Sequence, residues 1–292
     1  MKYTLFKGKS RIFLFLFICF SYSCSNNEEI VVLNSNEIAE FQNISYGENS
    51  QQIFDIYLPK NRSVKQTKVF IIVHGGSWIS GDKSDLDELK QSLKNQFTNY
   101  AIVNINYRLA SIGNSPFPMQ INDIENVIST LKSKASEYQI SNKYGLIGVS
   151  AGAHLSLLYS YKYDFEKNVK MVCSVVGPTN FTDENYLNNP DFTDVSQGIA
   201  LITGVNFTDN PTYYEELSPY HIVTNLAPPT ILFYGGMDDL IPTSQGVDMH
   251  SKLNEIGVVN EFYLYENEGH GWDGIPLQDT HTKLENFISK YF

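Results

Sequence analysis

The sequence predicts an α/β fold in which a mainly parallel central sheet carries helices on both faces and is entered through an N-terminal antiparallel hairpin. Three observations carry that expectation. Short apolar runs alternate with helix-period segments along most of the 292 residues, which is the rhythm of strand–helix–strand crossovers. Most of those runs are apolar throughout, as strands covered on both faces are. One of them, Tyr144-Gly145-Leu146-Ile147, leads into the sharp turn Gly148-Val149-Ser150-Ala151-Gly152, and a helical run leads out.

In chain order, residues 41–46 and 52–58 alternate apolar and polar side chains. They read as a hairpin turning at Gly47-Glu48-Asn49-Ser50. Residues 68–73 form a buried-type strand, and a helix is expected over 84–97, with Ser84 as N-cap and Asp87 and Glu88 in its first turn. A second strand covers 101–107. Met119, Ile121, Ile124, Val127, Ile128 and Leu131 recur at the spacing of one helix face. The strand into the turn and its helix follow, then a strand over 170–176. Residues 177–228 break the rhythm. Rich in Asn, Asp, Thr, Tyr and Pro, with short helical stretches near 195–202 and 212–217, they read as an insertion of loops or a partial cap over a pocket. Strands at 230–234 and 260–265, a helix at 244–256 and a closing helix at 280–291 complete the domain, which runs from 41 to 292.

Composition narrows the function classes. A formal charge of −11 and a pI near 5.0 argue against nucleic acid as a partner. Lys2, Lys7, Lys9 and Arg11 precede an apolar stretch, residues 12–20, that is too short to span a bilayer as a helix. Residues 1–23 therefore read as a signal peptide. Ser21-Tyr22-Ser23-Cys24 resembles a relaxed lipobox, with Cys24 as the lipidated first residue of a bacterial lipoprotein and residues 24–40 as a polar tether. The chain is thus expected outside the cytoplasm, anchored in the periplasm or at the outer membrane, with plain secretion after cleavage near Ser23 as the alternative. Cys19 falls in the leader and Cys24 at the lipid site, so Cys173 stands alone in the body. No intrachain disulfide and no zinc cysteine cluster is available to it, and an inert core position is expected.

The turn at Ser150 has the spacing of a nucleophile elbow. A serine there carries strained backbone angles, and the flanking glycines let strand and helix approach closely. Such a serine needs a base, an orienting acid and donors for an oxyanion, each at a strand end. His270, in Glu268-Gly269-His270-Gly271-Trp272, follows the last strand and is the expected general base. Asp238 follows the preceding strand, in Gly235-Gly236-Met237-Asp238-Asp239, and is the expected acid, with Asp239 its neighbouring competitor. His74-Gly75-Gly76-Ser77-Trp78 ends an earlier strand. The N–H groups of Gly76 and Ser77, with that of Ala151, are expected to form the oxyanion hole. The glycine loop lacks the lysine and spacing of a phosphate-binding loop, which sets that reading aside. His74 and His154 are expected to be structural, His281 is a weaker rival base, and Trp78 and Trp272 are expected near the pocket, either on substrate or in the core.

The order Ser150, Asp238, His270, together with His74 to Trp78, Gly81-Asp82-Lys83, Asn106-Tyr107-Arg108-Leu109, Pro116 to Gln120 with Asp123, His154-Leu155 after the elbow, and Ser218-Pro219, resembles the esterase/lipase branch of the α/β-hydrolase superfamily. The likeness covers about residues 45 to 292 and leans toward bacterial feruloyl-esterase-like and acetyl-xylan-esterase-like carboxylesterases. It implies that Ser150, Asp238 and His270 act as a triad on a small-molecule or glycan ester, with neither metal nor organic cofactor. Two positions depart from the common pattern: Ala153 stands where many relatives carry a second glycine, and Ser77 where many carry a third. Neither removes a catalytic group. The expected activity is serine carboxylic-ester hydrolysis, with a small exopeptidase or amidase on the same fold, or a non-catalytic surface binding module, as the alternatives.

Overall fold

The computed structural model describes residues 33–292; the expected signal peptide and Cys24 lie outside the described residues. Eight strands form one sheet: β1 (Ala39–Ser45), β2 (Ile53–Leu58), β3 (Val69–Val73), β4 (Ala101–Ile105), β5 (Tyr144–Val149), β6 (Val169–Val175), β7 (Thr230–Gly235) and β8 (Asn260–Tyr265). Their order across the sheet is β1-β2-β4-β3-β5-β6-β7-β8. β1 and β2 form the expected antiparallel hairpin, β2 runs antiparallel to β4, and every later pairing is parallel.

Ten α-helices are described: α1 (Asp87–Gln96), α2 (Met119–Ser133), α3 (Ala135–Tyr138), α4 (Ala151–Leu158), α5 (Glu184–Asn188), α6 (Thr193–Thr203), α7 (Pro211–Glu216), α8 (Pro219–Ile222), α9 (Ser244–Glu255) and α10 (Gly274–Tyr291). They cover both faces of the sheet. Leu93 of α1 and Leu284, Phe287 and Ile288 of α10 pack with Phe70, Ile72, Ile147 and Cys173 on one face. Residues of α2, α4 and α9, among them Ile124, Leu155 and Met249, pack with Val69, Ile71, Val73 and Leu146 on the other. Every side chain of β3 and β4 is buried, which is why these strands carry no polar alternation. Cys173 lies free in this core, and burial pushes its thiol pKa up.

Several boundaries differ from the sequence reading for local reasons. β1 begins at Ala39, and the stretch before it is docked: Leu33 N–H donates to the Glu137 carbonyl (3.1 Å) and Arg62 Nη1 donates to that of Glu37 (2.5 Å). The last eight residues of the expected 24–40 tether therefore lie on the domain. The helix expected from Ser84 opens instead as a 3₁₀ turn over Lys83–Leu86 whose N-cap is Asp82. Asp82 accepts from Ser84 N–H, and Asp85 reaches back to the Asp82 N–H (both 2.9 Å), so a carboxylate takes the capping position in place of the hydroxyl. α10 starts six residues before its expected first residue, with Pro276 in its first turn, where a missing N–H costs nothing. The 177–228 insertion holds four short helices, two more than the expected pair.

One consequence of the strand order positions everything below. The chain passes from β3 to β4 on one side and returns to place β5 on the other side of β3. The carboxyl ends of β3 and β5 therefore flank a topological switch point, where α/β sheets open a crevice for ligands.

Candidate active site

Ser150 leaves β5 with φ 53° and ψ −122°, a combination that side chains other than glycine rarely adopt. The turn is sharp because α4 must dive back against the sheet at once. Gly152 makes this possible: a Cβ there would lie 2.2 Å from the Val73 carbonyl oxygen and 2.3 Å from that of His74. At Gly148 a Cβ would meet the Gly152 carbonyl oxygen at 2.3 Å. Both glycines of the turn are thus required by main chain pressed against main chain. All eight residues of α4 are buried, so the helix has no freedom to yield.

The two other candidates arrive from adjacent strand ends. The loops after β7 and β8 are in direct contact: a Cβ on Gly235 would lie 2.1 Å from the Gly269 carbonyl oxygen, and one on Gly236 would lie 2.5 Å from that of Glu266. Gly236 N–H donates to the Tyr265 carbonyl and Met237 N–H to that of Glu268, each at 2.8 Å. From these joined loops, Asp238 Oδ2 stands 2.8 Å from His270 Nδ1, and His270 Nε2 stands 3.0 Å from Ser150 Oγ. The Asp238 carboxylate is fully buried, and its Oδ1 accepts the N–H groups of Leu240 and Ile241, both at 2.9 Å. With Oδ1 committed to the main chain, Oδ2 is held toward the imidazole. The carboxylate only accepts, so Nδ1 carries the proton and Nε2 offers its lone pair to the serine.

Asp239 is exposed and His281 faces Ser92 Oγ at 3.4 Å from α10; the structure brings neither to Ser150. His221 and His250 have partners that the sequence did not suggest, Thr182 Oγ1 and Asn260 Oδ1. Trp78 is buried among Phe117, His154 and Phe181, which removes it from the substrate-stacking alternative. Trp272 is half-buried and donates to Thr280 Oγ1 (2.8 Å).

The loop after β3 runs through three positive φ values, 109° at Gly76, 50° at Ser77 and 64° at Trp78. Gly75 packs on the serine, and a Cβ there would sit 3.2 Å from Ser150 Cβ. Beneath the loop, the Tyr107 hydroxyl donates to the His74 carbonyl (2.9 Å) while the Tyr107 and His74 rings stack 4.2 Å apart. His74 Nδ1 lies 2.7 Å from the Gly75 carbonyl, and burial lowers the pKa of this imidazole. Because a trans peptide sets its N–H opposite its C=O, pinning the Gly75 carbonyl inward turns the Gly76 N–H away from that cluster. Among the described residues, the N–H groups of Gly76, Ser77 and Ala151 find no acceptor. For Ala151 the reason is its place at the start of α4.

Sequence reasoning missed the supports of this loop. Gln120 Nε2 donates to the carbonyls of Trp78 (2.7 Å) and Arg108 (2.8 Å). Asp123, fully buried, accepts from Arg108 Nη2 (2.6 Å), Arg108 N–H (2.8 Å) and Gln52 Nε2 (2.8 Å). The Asn106 to Leu109 and Pro116 to Asp123 segments carried a resemblance without a role. Their contacts are long-range and leave no spacing signal in the chain. Among the described residues no group of His, Cys, Asp and Glu could hold a metal ion.

A family model described as BD-FAE matches residues 54–253. Esterase LipC of Mycobacterium tuberculosis is 24% identical over 243 residues, covering 79% of this chain and 59% of its own. Among solved structures, a bifunctional GH43-CE protein of Bacteroides eggerthii aligns with TM-score 0.73 and 23% identity, over 88% of this chain and 38% of that one. A truncated carbohydrate esterase from gut microbiota aligns with TM-score 0.69 and 20% identity, over 87% and 99%. The chain thus spans little more than half of LipC. The structural likeness shows the fold, the α/β-hydrolase architecture that the sequence led one to expect.

Proposed function

The chain belongs to the BD-FAE family, and from that premise we propose that it is a serine carboxylic-ester hydrolase acting through Ser150, His270 and Asp238. The observation that carries the reading is the line of two hydrogen bonds, 2.8 Å and 3.0 Å, from the buried carboxylate through the imidazole to a strained serine. In the first step Ser150 Oγ bonds to the ester carbonyl carbon while His270 Nε2 takes its proton, and the carbonyl electron pair moves onto oxygen. The N–H groups of Gly76, Ser77 and Ala151 receive that oxyanion. Its collapse breaks the bond to the alcohol, which leaves with the proton from His270. Water then attacks the acyl group, giving its proton to the same Nε2. The second collapse releases the acid and returns the proton to Ser150. Asp238 remains a carboxylate throughout and stabilises the imidazolium. These steps call for no metal or organic cofactor.

The substrate class we propose is acetyl or feruloyl esters of polysaccharides, supported by the carbohydrate-esterase names of the structural relatives. The test is a panel of p-nitrophenyl acetate, butyrate and octanoate, methyl ferulate and acetylated xylan, run beside fluorophosphonate labelling. The expected result is labelling of Ser150 with turnover of the acetyl or feruloyl esters. Absence of labelling in the folded protein would leave a binding module, and preferred turnover of aminoacyl nitroanilides would make the enzyme an amidase.

Export and anchoring through a lipid on Cys24 belong to the same proposal, supported by the basic and apolar leader ahead of a small-residue cysteine site. Expressed in a lipoprotein-processing bacterium, the parent chain is expected in the membrane pellet and Cys24→Ser in the soluble fraction. A parent chain found only in the soluble fraction would overturn the anchor.

A further inference from the structure

We infer that His154 is a positioning residue, its imidazole tying the elbow helix to the loop that carries the oxyanion donors and to the end of the insertion. The inference rests on reading Ser150 as the nucleophile. His154 lies four residues after Ser150 in α4, with its N–H on the Ser150 carbonyl (3.1 Å), and its side chain is fully buried. Trp78 Nε1–H donates to His154 Nδ1 (3.3 Å), and His154 Nε2 faces the Leu217 carbonyl at 2.8 Å. An indole N–H can only donate and a carbonyl can only accept. The ring is therefore the neutral Nε2–H form, with its lone pair on the tryptophan. Burial lowers its pKa to about 4, which keeps that form in place over the neutral range.

What the imidazole holds is a strained segment. Ser77 and Trp78 both sit at positive φ without being glycine, and such residues persist only where their surroundings over-determine them. Gln120 and the Ala110 N–H fix the Trp78 carbonyl, at 2.7 Å and 2.9 Å. The indole, wedged against Phe117, His154 and Phe181, is fixed at its polar end by His154 alone among the described residues. Releasing that end lets the loop relax away from Ser150, and the Ser77 N–H moves with it. Leu217 on the other nitrogen brings the insertion to the same side chain, so that three segments remote in sequence share one anchor.

The two bonds can be cut separately. His154→Asn places Oδ1 where Nδ1 was and keeps an acceptor for the indole. His154→Gln keeps a donor at the Nε2 position for Leu217 but offers Trp78 no acceptor there. Trp78→Phe retains an aromatic ring and removes the N–H. With p-nitrophenyl acetate, His154→Gln and Trp78→Phe are each expected to lower kcat about tenfold to a hundredfold with KM unchanged, as displacement of a positioned group does. Their combination should lose no more than either alone, and His154→Asn should retain most of the parent kcat. Melting curves on each variant identify those that are folded. Equal kcat in folded His154→Gln, Trp78→Phe and parent would overturn the inference, as would an equal loss in His154→Asn and His154→Gln. Fluorophosphonate labelling of the parent reports separately on Ser150, so failure of the nucleophile reading is not mistaken for failure of this one.

Discussion

Replacing Ser150 by alanine is expected to lower ester turnover at least about 10⁴-fold, because the attacking atom is gone and only binding and the oxyanion donors remain. The fold should survive the change. Oγ has His270 Nε2 as its hydrogen-bond partner, so nothing in the core depends on it. Alanine inherits φ 53° and its strain, and its melting temperature should stay near that of the parent. Ser150→Gly goes further, since glycine accepts that backbone without strain and should be more stable than Ser150→Ala by about 1 kcal/mol. Steady-state rates and melting curves on the three proteins check both halves. An alanine variant that keeps more than a hundredth of the parent activity would remove Ser150 from the chemistry.

The second large effect is expected from Asp238→Asn, about 10⁴-fold in kcat. The way the carboxylate is held decides this. Oδ1 accepts two main-chain N–H groups, and in asparagine that site still demands an oxygen. The amide nitrogen is then forced against His270 Nδ1, which has to accept. The imidazole proton moves to Nε2, and the ring presents a donor to Ser150 where a base is needed. Little of the fold is disturbed, so the loss appears in kcat with little change in melting temperature. Asp239→Asn, one residue on and exposed, is the control and should keep parent activity. A reversed outcome, with Asp239→Asn inactive and Asp238→Asn active, would move the acid to the neighbour.

Much of this arrangement was legible in the chain because it depends on local features. The strands buried on both faces announce themselves as unbroken apolar runs. Ser150 and Asp238 each follow such a run within a few residues, whereas His270 follows β8, a half-buried edge strand that opens with Asn260 and Glu261. The parallel pairing of these strands brings all three to one rim. What was hidden depends on contacts between distant segments. Trp78 and His154 are 76 residues apart, and His154 and Leu217 are 63 apart; neither pair has a pattern that reading in order can detect. The start of α10 was masked by Gly274 and Pro276, residues that usually mark the outside of a helix and here begin one. At the first 3₁₀ turn, both Asp82 and Ser84 had the chemistry of a cap. Only the fold decides between two such candidates two residues apart.

The pairing of the loops after β7 and β8 has a consequence for how the Asp238–His270 pair behaves under heat. Gly235 leaves no gap against the Gly269 carbonyl, so the spacing between the loops that carry Asp238 and His270 is dictated by two peptide backbones in contact. Warming can set a rotamer free long before a domain melts, but it cannot slide these strands' ends past one another without tearing the sheet edge. The two loops should therefore keep their spacing for as long as this edge of the sheet holds.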